Sequence, residues 1–273
     1  MSRYHTPKGG LPDQSQRLYA PARFTSAYAV IPAHAMTDIV TSNLPGWQGA
    51  RAWVLARPLS GFAETFAQLI VELAPGGGSE TPEPDTGAEA VLFVTDGAPD
   101  LTLAGRRHAL TPGSFAYIPP GTEWTIANPG GATATFHWIR KAYEPAPGLA
   151  PPPPLVTHDD AVAPQPMPGT QAWATTRFTD AGDIRHDMQV NIVTFQPGGR
   201  IPFAETHVME HGIYILQGTA RYLLNTDWVE VGPGDFLWLR AFCPQACEAT
   251  GSEPFRYLLY KDINRHPKLR LAG

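Results

Sequence analysis

Residues 212–239 read GIYILQGTARYLLNTDWVEVGPGDFLWL, and this stretch decides the fold class of the chain. Its apolar runs are short, are rich in Ile, Tyr, Leu and Val, and end at Gly, Asn or Pro, which is typical of β-strands joined by tight turns. The same pattern recurs along the 273 residues, of which 29 are Pro and 26 are Gly. Because Pro and Gly interrupt helices, the sequence predicts an all-β protein.

The turn signals of this stretch also occur upstream in the same order. The paired landmarks are Pro75-Gly76-Gly77 with Pro197-Gly198-Gly199, Asp96-Gly97 with Gln217-Gly218, Pro112-Gly113 with Pro233-Gly234, and 136–141 with 255–260. Their offsets are 122, 121, 121 and 119 residues. Landmarks at a nearly constant offset indicate an internal duplication of one antiparallel β unit.

The order within each copy is strand, PGG turn, strand, Gly turn, strand, PGS or PGD turn, and strand. This order resembles the two-motif pattern of the cupin superfamily, whose members are small jelly-roll barrels that bind a metal inside. Two copies in one chain imply a bicupin. We therefore expect an N-terminal cupin barrel with its extension at 1–143, a Pro-rich linker at 144–170 and a C-terminal cupin barrel at 171–273.

The segment AETHVMEHG, residues 204–212, contains candidate metal ligands. Side chains two or six residues apart on a strand share a face, so Glu205, His207 and His211 are expected to point into the barrel together. The cupin pattern places a fourth ligand ten residues after the Asp of the PGD turn, and that position is Gln245. One carboxylate, two imidazoles and one amide oxygen suit Mn²⁺ in octahedral geometry with open positions. The prediction is one Mn²⁺ per chain, in the C-terminal barrel.

The first copy lacks these ligands. Moving the four positions back by 121 residues leads to Pro84, Thr86, Ala90 and Trp124. The first barrel is therefore predicted to be metal-free, with Trp124 filling its interior, and to serve structurally through pairing or oligomerisation. Two isolated histidines of this copy, His108 and His137, are interpreted as structural or surface residues.

Residues 188–262 permit a narrower match. The ETHVMEHG run, the PGD turn, Gln245 and the Tyr-x3-Lys pattern of Tyr257 and Lys261 resemble the (S)-ureidoglycine aminohydrolase family of manganese bicupins. The resemblance implies hydrolysis of a C–N bond, converting (S)-ureidoglycine to (S)-ureidoglycolate and ammonia in purine (allantoin) catabolism. It implies that Tyr257 and Lys261 are catalytic. The residues expected to face the substrate are Gln189, Tyr222, Tyr257 and Lys261, and Gln189 stands where the family more often has Asn.

Two other functions stay open at this point. One is a metal-dependent bicupin oxygenase acting on a small organic acid, and the other is a non-enzymatic bicupin that binds a small molecule. Cys243 and Cys247 flank Gln245 at two-residue steps; a thiolate ligand is one reading, and two small buried apolar groups is the reading we favour.

The net charge of −5, without a basic run, argues against nucleic acid as a partner, and the absence of a long apolar segment argues against a membrane. The N-terminus lacks the apolar core of a secretory signal, so we expect a cytoplasmic protein. The family resemblance implies a homo-oligomer with a small ureide as its ligand.

Overall fold

The structure is a computed structural model that describes residues 4–7, 22–36, 42–58 and 61–262. These residues contain twenty β-strands. The first ten are β1 (Arg23–Phe24), β2 (Tyr28–Ile31), β3 (Gln48–Ala56), β4 (Ala67–Ser79), β5 (Ala88–Asp96), β6 (Asp100–Leu103), β7 (Arg106–Ala109), β8 (Ser114–Ile118), β9 (Trp124–Ala127) and β10 (Ala134–Ala142). The others are β11 (Leu155–His158), β12 (Gln165–Pro166), β13 (Trp173–Arg177), β14 (Met188–Phe195), β15 (His211–Gln217), β16 (Ala220–Leu224), β17 (Asp227–Val231), β18 (Phe236–Leu239), β19 (Gln245–Ala249) and β20 (Phe255–Asp262). Short 3-10 helices lie at Ala33–Met36 and Asp159–Ala161.

Strand pairing follows the same plan in both halves. In the first half β10 lies between β4 and β5, β5 pairs with β8, and β6 pairs with β7 and β9. In the second half β20 lies between β14 and β15, β15 pairs with β18, and β16 pairs with β17 and β19. All of these pairs are antiparallel. The predicted all-β fold and internal duplication are confirmed.

The repeated Gly turns have a steric cause. Gly97 and Gly218 occupy equivalent positions after β5 and β15 and have φ angles of +72° and +73°. A Cβ atom at Gly97 would lie 2.6 Å from the Cα of Ala134, and one at Gly218 would lie 2.5 Å from the carbonyl oxygen of Pro254. Both the left-handed backbone and the close approach of another strand therefore require glycine, which explains why this signal recurs in the sequence.

Three strands cross the predicted domain boundaries, and one of them is β12, which lies in the predicted linker and pairs with β13 of the second barrel. β2, from the N-terminal extension, pairs with β18 of the second barrel, with Tyr28 opposite Leu239 and Ile31 opposite Phe236. β11, inside the predicted linker, pairs with β8 of the first barrel. β8 and β18 are equivalent strands, so each barrel receives a strand from the segment that precedes the other barrel's core. These added strands cover edges that would otherwise present unpaired backbone groups.

Buried apolar clusters fill each barrel and the surface between the barrels. Representative members are Leu92, Trp124 and Trp138 in the first barrel, Phe195, Tyr222 and Tyr257 in the second, and Phe66, Tyr214 and Tyr260 between them. Trp124 is buried against Trp138, with ring centroids 6.1 Å apart. These rings occupy part of the first interior, and a cavity of about 400 Å³ lined by Ala90 and Trp124 lies beside them. Among the described residues, no helix has the length and apolar character needed to cross a bilayer.

Candidate metal centre

The predicted ligands are held at the mouth of the second barrel by three local features. Glu205 forms an isolated antiparallel bridge with Gln245, in which each backbone N–H donates to the other carbonyl at 2.9 Å. The carbonyl of His207 accepts a hydrogen bond from the N–H of Phe242 at 2.6 Å. His211 is the first residue of β15. Residues 201–210 are otherwise irregular, so the continuous strand that the spacing implied is replaced by one bridge and a loop.

The four side chains nevertheless reach one cavity. Glu205, His207, His211 and Gln245 all line a cavity of about 170 Å³. The Glu205 carboxylate lies 3.2 Å from Nε2 of His207, and the imidazole rings of His207 and His211 are 5.2 Å apart between centroids. In the described part of the chain, no three His, Cys, Asp or Glu side chains are already arranged around a common metal position. The four predicted ligands therefore share one cavity.

The chemistry of the donors fits a divalent cation. His211 is buried, and burial together with nearby His207 lowers the pKa of its imidazole to about 3. Nδ1 of His211 is 3.0 Å from the Met209 carbonyl, so Nδ1 carries the proton and Nε2 keeps its lone pair. A metal-binding histidine is usually oriented by such a contact. Gln245 adds a neutral amide oxygen, which accepts a hydrogen bond from the hydroxyl of Tyr222 at 2.9 Å.

The predicted substrate-facing residues divide into two groups. Tyr222, Tyr257 and Lys261 line the same cavity as the metal donors. Burial raises the pKa of both tyrosine hydroxyls, so they remain protonated donors at neutral pH. Burial also lowers the pKa of Lys261. Gln189 does not line the cavity; it is buried opposite Lys261 in the pairing of β14 with β20.

Sequence reasoning missed Arg177 and Asn191, which also line the cavity. They lie opposite each other on β13 and β14. The positive charge of Arg177 contributes to the lowered pKa of Lys261, so the two cations lie near each other at one cavity. Strand parity was the available signal, because Asn191 is two residues beyond Gln189 on β14 and alternate residues share a face.

The remaining candidates have structural surroundings. Cys243 and Cys247 are buried, and burial raises the pKa of both thiols, which keeps them protonated. Neither lines the cavity of the metal donors. His137 is fully buried between the barrels, with its ring 4.3 Å from that of Tyr214. His108 is a partly exposed residue of β7.

Comparison with known proteins agrees with the predicted fold and with the family that the motifs resemble. The cupin domain family matches residues 69–140 and 191–260, which defines the chain as a protein with two cupin domains. An (S)-ureidoglycine aminohydrolase of Escherichia coli K12 is 31% identical over 83% of this chain and 86% of its own length. One of Arabidopsis thaliana is 30% identical over 84% of this chain and 74% of its own length. The chain belongs to the (S)-ureidoglycine aminohydrolase family of bicupins, and it is a hydrolase that acts on a C–N bond.

Solved structures support the same relationship. A Pseudomonas aeruginosa protein described as glyoxylate-induced superposes with a TM-score of 0.93 at 59% identity, over 100% of both chains. Protein Ylba of Escherichia coli superposes with a TM-score of 0.80 at 27% identity, over 94% of this chain and 100% of that one. A salicylate 1,2-dioxygenase of Pseudaminobacter salicylatoxidans, with a TM-score of 0.67 over 92% of this chain and 89% of its own, is 14% identical and shares the fold alone.

Proposed function

We propose that this chain hydrolyses (S)-ureidoglycine to (S)-ureidoglycolate and ammonia with one Mn²⁺ held by Glu205, His207, His211 and Gln245. The observation that carries the proposal is the convergence of these four donors with Tyr257 and Lys261 on one cavity. The relatives that bear the name of this activity match over most of the chain. When bound, the metal would act as a Lewis acid and lower the pKa of a coordinated water.

The polar side chains of the cavity match the groups of the substrate. Ureidoglycine carries a carboxylate, an amine and a ureido group on one carbon atom. Lys261 and Arg177 would bind the carboxylate, because both are cations at the same cavity. Asn191 lines the cavity beside them and can exchange hydrogen bonds with the ureido group. This arrangement would present one face of the central carbon to the metal donors.

The reaction replaces the C–N bond to the amine with a C–O bond from water. The departing nitrogen must gain a proton, and the attacking water must lose one. Tyr257 supplies a hydroxyl that burial keeps protonated, so it can donate to the leaving amine and recover a proton from water. Tyr222 holds the amide oxygen of Gln245 in place through its own hydroxyl. Its neighbour Tyr257 lies with its ring centroid 6.2 Å away.

The test is ammonia release from ureidoglycine, measured against the uncatalysed rate with metal-stripped and with Mn²⁺-loaded protein. We expect Mn²⁺-dependent release, with loss of metal and activity in His207→Ala and His211→Ala. His108→Ala is the control and should change neither, because His108 lies on β7 of the other barrel. Release at the uncatalysed rate with Mn²⁺ present would refute the proposal. Oxygen consumption, recorded in the same samples, tests the oxygenase alternative.

A further inference from the structure

Glu210 is a buried carboxylate directly before His211, and it contacts the other barrel rather than the cavity. Its Oε1 accepts a hydrogen bond from the backbone N–H of Glu64 at 2.6 Å and another from Nε1 of Trp238. Its Oε2 accepts from the N–H of Thr65 at 2.9 Å and from the Thr65 hydroxyl. The donors described for this carboxylate are all neutral, and two residues of the N-terminal half supply most of them.

The same short segment, residues 64–66, also contacts the chain on the other side of His211. A Cβ atom at Gly212 would lie 2.6 Å from Phe66, so the Phe66 ring rests directly on the glycine backbone. Phe66 is buried and stacks on Tyr260 with ring centroids 3.9 Å apart. Positions 210 and 212 are therefore both fixed by the N-terminal half, and His211 lies between them.

The backbone of Glu210 is fixed as well. Its N–H donates to the Asp262 carboxylate at 2.6 Å, next to the cavity residue Lys261. The Thr65 hydroxyl is 2.9 Å from the hydroxyl of Tyr260. The contact thus joins residues 64–66 to the start of β15, which carries His211 into the cavity. It also joins them to the end of β20, which carries Lys261.

We propose that Glu210 is a positioning residue through which the N-terminal barrel fixes the orientation of the His211 imidazole. The first barrel, which lacks equivalents of the four predicted ligands, then has a defined role, because it supports β15 of the second barrel from behind. The inference rests on the proposed function only in so far as His211 binds a metal. The position of the imidazole itself can be measured without one.

The test uses the full chain and compares Glu210→Gln with Thr65→Val and Asp159→Asn. Glu210→Gln replaces one carboxylate oxygen by an NH₂ group. This group cannot accept hydrogen bonds from the surrounding N–H groups. Thr65→Val removes the hydroxyl contacts to Glu210 and Tyr260, keeps the backbone N–H donors and preserves the shape of the side chain. Asp159→Asn is the matched control, because Asp159 is an equally buried carboxylate that accepts hydrogen bonds from Arg256 at 2.6 Å and Tyr4 at 3.0 Å, apart from the Glu210 contact.

The first readout is the imidazole ¹H–¹⁵N spectrum of the metal-free protein. We expect His211 to be neutral with its proton on Nδ1 in the wild type, and to change chemical shift and tautomer balance in Glu210→Gln. Thr65→Val should produce a smaller change in the same direction, and Asp159→Asn should leave the His211 signals in place. Unchanged His211 signals in Glu210→Gln, or an equal change in Asp159→Asn, would overturn the inference.

The second readout is Mn²⁺ affinity, measured by calorimetric titration. Residues that orient a ligand typically change metal affinity by about 10- to 100-fold, so we expect Glu210→Gln to bind Mn²⁺ about tenfold more weakly. Asp159→Asn should stay within about twofold of wild type, as for an uncoupled site. A wild type that binds Mn²⁺ but releases no ammonia would refute the proposed function and leave this inference standing. If the wild type bound no Mn²⁺, the imidazole spectra alone would decide.

Discussion

Replacing Arg177 with Met should weaken the binding of carboxylate ligands and spare neutral ones. Arg177 and Lys261 both line the cavity, and the charge of Arg177 contributes to the lowered pKa of Lys261. Two cations close together at one cavity are unfavourable unless an anion binds between them. Glu205, a carboxylate that lines the cavity, lies 3.2 Å from His207, and Asp262, whose charge also acts on Lys261, does not line this cavity. A ligand carboxylate is therefore the expected partner of the two cations.

The size of the effect follows from the exposure and bonding of Arg177. A hydrogen bond to a charged group contributes about 1.5–3 kcal/mol. Arg177 is partly exposed and donates to Gln165 at 2.9 Å, so the lower part of this range applies, about 1.5–2.5 kcal/mol. Since about 1.4 kcal/mol is a tenfold change, Arg177→Met should weaken carboxylate binding by about 10- to 60-fold. Arg177→Lys keeps the charge but lacks the planar guanidinium, so its affinity for carboxylates should lie between those of the wild type and Arg177→Met.

The assay is calorimetric titration with N-carbamoylglycine, which is ureidoglycine without its amine, and with the corresponding neutral amide. Arg177→Met should weaken binding of the acid and leave binding of the amide unchanged. Arg221→Met is the control, because Arg221 pairs with Glu248 at 2.8 Å and lies over Trp228, and it does not line the cavity. Equal losses for acid and amide, or no loss for the acid, would refute the assignment of Arg177 to the substrate carboxylate.

Three further substitutions test other parts of the structure. His137→Gln should remove a pH dependence: burial lowers the pKa of His137 from 6.5 to about 3, so its stabilising effect is complete above pH 6.5 and is lost as the pH falls toward 3. At pH 5 the wild type should lose about 2 kcal/mol of unfolding free energy through this residue, measured by urea denaturation. Gly212→Ala should destabilise the fold by about 1–3 kcal/mol in the same measurement, because the new Cβ meets Phe66. Tyr222→Phe should lower stability by about 1 kcal/mol and weaken Mn²⁺ binding in a titration, because Gln245 loses its hydrogen-bond donor.

Each of these expectations has a definite contrary result. Parallel pH profiles for the wild type and His137→Gln would show that His137 is not held neutral by burial; His108→Gln, at a partly exposed site, is the control. An unchanged midpoint in Gly212→Ala would show that Phe66 can move away from β15. Unaltered Mn²⁺ affinity in Tyr222→Phe would show that the Tyr222 hydroxyl does not orient Gln245.

Local signals in the sequence predicted most of the fold. The turns at positions 97 and 218 require glycine, because the backbone is left-handed and another strand approaches closely. Glycine is therefore kept in both copies, and the spacing of the two glycines indicates the duplication. The exchange of β2 and β11 between the barrels was not predictable in the same way. These strands pair with residues more than two hundred and about forty positions away, such as Leu239 for Tyr28 and Tyr117 for Leu155. The residue pattern of neither short segment indicates which sheet edge it will join.

The site was predicted unevenly for a related reason. The donors could be found because three of them lie within seven residues, from Glu205 to His211. Their convergence does not come from one regular strand, since Glu205 is placed by its bridge to Gln245. Arg177 reaches the cavity from β13, which precedes β14 and the donor loop. Only the assembled sheet brings that strand beside Asn191, so no local spacing could reveal it.

The duplication also allows a polar ligand site and an apolar interior to be placed in different barrels. A polar interior is costly, because buried groups such as His211, Gln245 and Asn191 replace apolar contacts. The interior cluster of the first barrel is apolar, with Trp124 and Trp138 among its members. This apolar cluster can therefore support the second barrel. Residues 64–66 transmit that support through Glu210 and Gly212 to β15 on either side of His211, which gives the first barrel a structural role in the chain.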